Sequence, residues 1–203
     1  MAASDVYAHS VDGRPFSEWE PLGDHLAAVG HRAAAFADVF GWRGVAQAAG
    51  QLHDIGKCSA QFQSYITDTA AEGRGGGDHS TAGAREAVAA YPGPLGRMLA
   101  FVVAGHHGGL GNWADLAPRL GADHAIPPYA GWQTQAGALP EAAAIAATTA
   151  MLLPGKDKGF TNAFLIRMLF SCLVDADSLE TERFLAQAKD APVSRGGHTD
   201  LAI

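Results

Sequence analysis

Residues Arg43 to Lys57 read RGVAQAAGQLHDIGK. Val45, Ala49 and Leu52 recur at spacings of four and three, which predicts a helix from about Arg43 to Ile55 with those residues facing inward and Gly56 as the stop. His53 and Asp54 then lie in the last turn of that helix, beside its apolar face. Upstream, Leu22, Leu26, Val29, Ala33, Phe36 and Phe40 share one face of a helix from Leu22 to Phe40, ended by Gly41, with His25 at the face's edge. No convincing alternating strand pattern and no internal repeat occur, so the expected fold is all-α.

Downstream the pattern continues. A short helix fits Ser59 to Thr67, a flexible loop fits Gly73 to Gly77, and Asp78 or Ser80 can cap a helix running to Ala90. Pro94 opens another helix, buried through Leu95, Met98, Leu99, Val102 and Val103 and ended by Gly108-Gly109. Its C-terminal end delivers His106 and His107. Gly121 to Leu139, with Pro127-Pro128, reads as a long irregular connection of the kind that forms lids or partner-binding loops. A last helix, from near Thr161 to about Gln187, is apolar nearly all round between Ala163 and Val174 and is expected to be the central core helix. Counting by three and four gives the stripe Phe164, Met168, Cys172, Asp175 and Leu179, which sets Asp175 on an apolar line and turns Asp177 away from it. A carboxylate there needs a partner or a metal.

The 203 residues suit one domain, expected over residues 1–188, with 189–203 as a tail or linker. With 48% hydrophobic and 17% charged residues the composition is that of a soluble globular protein. Apolar runs such as Met98 to Ala104 and Ala142 to Ala147 are too short for a membrane span, and Met1 to Ser10 lacks a secretion signal. A cytoplasmic location with no membrane partner is the expectation. Cys58 and Cys172 show no paired spacing and are expected to be free thiols, Cys58 in a packing role. A formal charge of -7 argues against a broad basic surface for nucleic acid, although bound divalent cations would add local positive charge.

Metal-type ligands come from five separated places: His25, His53-Asp54, His79, His106-His107 and Asp175. Imidazole nitrogen and carboxylate oxygen suit Zn, Fe, Mn, Co or Ni, and one carboxylate can bridge two ions. Seven such groups would fill most of two coordination spheres. Two ions about 3.5 to 4 Å apart are the usual arrangement for phosphate-ester hydrolysis, where they activate water and stabilise charge on the attacking and leaving oxygens. His9, His31, His124 and His198 fit no usable spacing and are expected to be structural or exposed, with an approach of His9 to the site left open. Asp177 and Glu180 are expected to face solvent or a neighbouring chain. Trp113 is expected to pack, base stacking being the alternative.

The string His53-Asp54-Ile55-Gly56-Lys57, with an earlier histidine and a later aspartate, resembles the HD superfamily of metal-dependent phosphohydrolases. Asp78-His79-Ser80-Thr81-Ala82-Gly83, Gly105-His106-His107-Gly108-Gly109-Leu110 and Leu173-Val174-Asp175-Ala176-Asp177 followed by Glu180-Thr181-Glu182 narrow the match. Together they resemble the HD nuclease domain of the type I CRISPR interference helicase-nuclease, from about Tyr7 to Phe184.

The resemblance implies a single helical domain with a metal site in its core, acting in antiviral defence as a nuclease or endonuclease on single-stranded DNA. Its partners would be that DNA, a helicase in cis or in trans, and a guide-RNA surveillance complex. Carried over, one divalent transition-metal ion would be held by His25, His53, Asp54 and Asp175. The other would be held by Asp54, His79, His106 and His107, with Asp54 bridging; Fe, Mn, Co and Ni are the expected metals. Lys57 would contact a phosphate or orient a ligand, with Asp54 the other catalytic residue, and Ser80 would play a minor substrate-binding part. Rival readings are an HD phosphohydrolase of small or cyclic nucleotides and a non-catalytic, metal-stabilised docking module. The cyclic-dinucleotide branch follows its paired histidines with a glutamate and Gly-Tyr-Pro, whereas Gly108 to Trp113 reads GGLGNW here. No G-x-x-x-x-G-K-[ST] loop occurs, so ATP-driven unwinding must come from a separate helicase or from a part of the protein outside this chain.

Overall fold

The computed structural model of the chain describes residues 6–67, 77–146 and 159–190. Nine α-helices lie among them: α1 Leu22–Ala37, α2 Arg43–Leu52, α3 Ala60–Thr67, α4 Ser80–Ala90, α5 Pro94–Gly105, α6 Trp113–Leu120, α7 Trp132–Ala136, α8 Ala142–Ala146 and α9 Gly159–Ala188. The fold is helical, as the periodicity requires. It adds one small element the sequence reading lacked, an antiparallel pair of β1 (Tyr7–His9) and β2 (Glu20–Pro21). Two and three residues are too few to carry an alternating pattern, so this pair had no periodic signal.

The pairing of α1 with α2 builds the core. Leu22, Leu26, Val29 and Ala33 of α1 and Val45, Ala49 and Leu52 of α2 are fully buried. The two backbones cross where Gly30 meets Gly50: a Cβ on Gly50 would stand 2.5 Å from the Gly30 Cα. Only residues without a Cβ allow that approach. It draws the first turn of α1, with His25, against the end of α2, with His53. Likewise a Cβ on Gly83 of α4 would collide with the Leu52 carbonyl, and one on Gly56 with the His79 backbone.

Helix ends depart from the sequence reading in small ways that matter. α1 finishes at Ala37 and continues as a 3-10 turn to Phe40, closed by Gly41 at φ +78°. α2 stops at Leu52, and Ile55–Cys58 is a 3-10 turn, so His53 and Asp54 stand at a junction between two helical geometries rather than inside one. α5 stops at Gly105 and presents His106 and His107 in the turn that follows. His79 is the N-cap residue of α4 without a side-chain cap, and Asp78 just ahead of it accepts the Thr81 N–H at 3.0 Å. The Gly73 to Gly77 loop falls mostly outside the described residues, as does the tail expected over 189–203.

The segment read as irregular, Gly121 to Leu139, contains α7 and is held down. Gln51 Nε2 donates to the Ala136 and Ala138 carbonyls at 2.8 and 3.0 Å, and Arg85 donates to the carbonyls of Arg119, Gly121 and His124. Trp113 opens α6, a helix the sequence reading missed although Asn112 and Asp115 form a capping box there. Trp113 is half exposed and its ring centroid lies 6.2 Å from that of Phe101.

α9 requires the main correction. It is long and apolar enough to pass for a membrane-crossing helix by length and composition, yet it lies against α1, α2 and α5 as an outer wall. It is not the central core helix. Its buried stripe is Leu165, Leu169, Cys172, Leu173, Ala176 and Glu180, whereas Phe160 and Phe164 are exposed. The true stripe is turned by about one residue, roughly 100°, from the one counted in the sequence. Asp175 is exposed in consequence, and Asp177 faces the interior.

Candidate metal centre

Each ligand-type residue reaches the centre for a local reason. His25 is carried on the first turn of α1, held tight to α2 by the glycine crossing. His53 and His106 each follow the end of a helix, and each is 2.7 Å through Nδ1 from the carbonyl three residues earlier, Gly50 O and Val103 O. Those carbonyls belong to the last turns of α2 and α5, which lack intrahelical donors, so donation by the rings satisfies them. The same bonds leave Nε2 as the free lone pair, aimed at Asp54. His79 approaches Gly77 O through Nδ1 at 3.2 Å, and its Nε2 is 2.8 Å from His107 Nε2.

Asp54 is 1% exposed and sits between two groups of donors. Its Oδ2 lies 3.4 Å from His53 Nε2 and 3.7 Å from His25 Nε2. Its Oδ1 lies 3.2, 3.5 and 3.8 Å from the Nε2 atoms of His106, His79 and His107. Asp177 Oδ1 completes the first group, 3.4 Å from His25 Nε2 and 3.6 Å from His53 Nε2.

The structure therefore brings together His25, His53, Asp54, His79, His106 and His107, and leaves Asp175 out. Asp177 stands where Asp175 was expected, because two residues along a helix is a rotation of about 200°. The missed signal lay in the phase of α9: Ala163 to Val174 is apolar on every side, so hydrophobicity did not mark which line was buried. Ser80 is not a cleft residue either. Its hydroxyl receives Arg119 Nη2 at 2.8 Å and lies 3.3 and 3.4 Å from Asp78 Oδ1 and Ala104 O, which commits it to the Asp78–Arg119 network behind His79. Glu180, expected at the surface, is buried and paired with Arg32 and Arg183. Cys58 and Cys172 are free thiols. His9, whose approach to the site the sequence left open, lines the cleft over it.

The donor set fits divalent cations. Around an ion with bonds of about 2.0–2.2 Å, tetrahedrally arranged donors stand roughly 3.3–3.6 Å apart. His25 Nε2 and His53 Nε2 are 3.3 Å apart, and their distances to Asp177 and Asp54 fall in or near that range. Both Asp54 oxygens and His106 Nε2 are buried without a hydrogen-bond partner. Lys57 Nζ makes a charge contact of 2.6 Å with Asp54 Oδ2, and two carboxylates facing five imidazoles are a nitrogen and oxygen donor set suited to a divalent cation.

The ionisation of the residues points the same way. Burial pulls the His53 imidazole down, but Asp54 and Asp177 outweigh it and raise it to about 10. Burial likewise opposes protonation of His25, and its contacts with Asp177 and Glu20 reverse the balance and raise it. Burial disfavours the charged form of Asp54, yet Lys57, His53 and His106 hold its carboxyl well below the usual range. Asp177 is also lowered, by His25 and His53 against the effect of burial. His107 goes the other way, to about 4, through burial and the neighbouring His106. Protonation is thus favoured on the His25–His53 side, where Asp54, Asp177 and Glu20 face the rings.

A cleft of about 610 Å³ opens over the cluster, lined by His9, Asp54, Lys57 and His107, by Asp177, Ser178, Thr181, Glu182, Leu185 and Ala186 of α9, and by Lys189 just beyond it. The family model described as Cas3, HD domain matches residues 12–174, most of the chain. No curated protein matches it.

Proposed function

The chain belongs to the Cas3 HD-domain family and is thus a CRISPR-associated metal-dependent hydrolase of the nuclease type, and we propose that it cleaves single-stranded DNA during type I interference. In this reading it receives the strand displaced by a guide-RNA surveillance complex, with a helicase in cis or in trans supplying the unwinding. Two divalent ions, Fe, Mn, Co or Ni, are proposed. His25, His53, Asp54 and Asp177 would hold one, and Asp54, His79, His106 and His107 the other. The observation that carries this is Asp54, whose two oxygens face separate donor groups. When bound, such ions supply the activated water and the positive charge that phosphodiester displacement needs.

The protein's own residues contribute positioning and charge. Lys57 Nζ lies 2.6 Å from Asp54 Oδ2, is 3.2 Å from the Ala8 carbonyl, and lines the cleft, so it fixes the Asp54 carboxylate and can meet a phosphate oxygen. The fixed backbone bonds of His53 and His106 keep their Nε2 atoms directed at the site without rearrangement, which is the preorganisation that favours catalysis. The cleft between His9, Lys57 and α9 is where a strand would lie.

The test is cleavage of single-stranded DNA by manganese- or iron-loaded protein, wild type against Asp54→Ala, beside a panel of linear and cyclic nucleotides. Metal-dependent DNA cleavage lost in the variant supports the reading. Equal cleavage by both proteins, or hydrolysis of the small nucleotides alone, overturns it.

A further inference from the structure

His9 and Glu20 stand directly opposite one another in the β1–β2 pair, so their side chains share a face. His9 Nδ1 is 2.6 Å from Glu20 Oε2. The same oxygen lies 3.3 Å from His25 Nδ1, and Glu20 is 3% exposed. That nitrogen is buried and makes no hydrogen bond in this geometry, the Glu20 carboxylate standing in ion-pair range of it, while His25 Nε2 faces His53, Asp54 and Asp177. His53 and His106 meet backbone carbonyls through Nδ1. Among the cluster's histidines in the described residues only His25 meets a carboxylate through Nδ1, and that carboxylate is buried.

We propose that Glu20 is a positioning residue: it accepts the Nδ1 proton of His25, fixes the tautomer that leaves Nε2 free, and strengthens that nitrogen as a ligand for the ion on the His25–His53–Asp177 side. The inference rests on the metal-dependent reading above. A carboxylate behind a ligating imidazole raises its basicity and locks its orientation, and such partners are worth roughly 10- to 100-fold in metal affinity. His9 has a supporting part. By holding Glu20 from the opposite strand it keeps Oε2 in place, and the pairing makes the short β1–β2 element part of the site's frame. That strand reaches the site a second time through Ala8, whose carbonyl accepts from Lys57 Nζ.

The experiment uses the full chain with Zn(II) as probe. Zinc affinity is read by chelator competition, and histidine ring tautomers by 15N NMR of the loaded protein. Glu20→Ala is expected to weaken one zinc equivalent about 10- to 100-fold, leave the other within about twofold, and shift one ring's nitrogen signals while those of the other ligands hold. Glu20→Gln keeps the shape without the charge and is expected to give a smaller loss of the same equivalent, and it carries the test if Glu20→Ala does not fold. Glu180→Gln, at a buried glutamate paired only with arginines, is expected to lower the unfolding temperature without changing zinc affinity. Unchanged affinity and ring signals in both Glu20 variants, or equal weakening of every equivalent, overturns the proposal. Failure of wild type to bind any divalent metal overturns instead the reading on which it rests.

Discussion

Replacing Asp177 with alanine tests the tertiary assignment of the ligands most sharply, with Asp175→Ala as its partner. Asp177 Oδ1 already stands 3.4 and 3.6 Å from the Nε2 atoms of His25 and His53, the separation that donors take around a shared ion. Its removal would therefore delete a direct ligand of the proposed ion. Outer partners of ligands are worth up to about 100-fold, so a direct one should cost more than about 100-fold in affinity, or more than about 2.7 kcal/mol. Asp175 is exposed, and its loss should stay within about 0.5 kcal/mol, near twofold. The size of the Asp177 effect should depend on pH. Asp177 helps raise His53 to about 10, so the wild-type site is charged with protons that a metal must displace, and the variant carries fewer. The wild-type advantage should thus be larger at pH 9 than at pH 6. Chelator competition with Mn(II) at both pH values reads this, with circular dichroism of the metal-free variants as a check on folding. Loss of metal from Asp175→Ala with retention in Asp177→Ala would refute the assignment, as would equal behaviour of the two.

Metal-free and metal-loaded protein should respond to pH in opposite senses. Because the folded state raises His53 from 6.5 to about 10, its contribution to stability is complete below pH 6.5 and is lost as pH rises through 10, whereas metal affinity climbs over the same window; thermal unfolding of both forms from pH 6 to 10 checks this. Gly50→Ala forces α1 and α2 apart and should cost about 1–3 kcal/mol, lowering Tm by roughly 2–12 °C together with metal affinity, while Gly159→Ala, which meets nothing, should not. Burial raises the Cys58 thiol to about 11, so iodoacetamide at pH 8 should alkylate the native protein at Cys58 at least about 100-fold more slowly than a free thiol, as peptide mapping would read.

The sequence by itself determined the helices and most of the cluster. Apolar spacing is a local property, so α1, α2, α4, α5 and the approximate reach of α9 could be counted directly, and His53, Asp54, His79, His106 and His107 sit at element ends that glycine and proline punctuate. His25 was legible because α1 has a clear polar side, which fixes its phase. Only the tertiary structure decided the phase of α9. Where every side of a helix is apolar, burial is chosen by the neighbours it packs against, and here α1, α2 and α5 select Ala176 and Asp177 over Asp175. The same holds for Glu20 and His9. They lie in a two-strand pair too short to show a period, eleven residues apart, and their meeting at His25 is a product of strand register and of the glycine-tight crossing of α1 on α2.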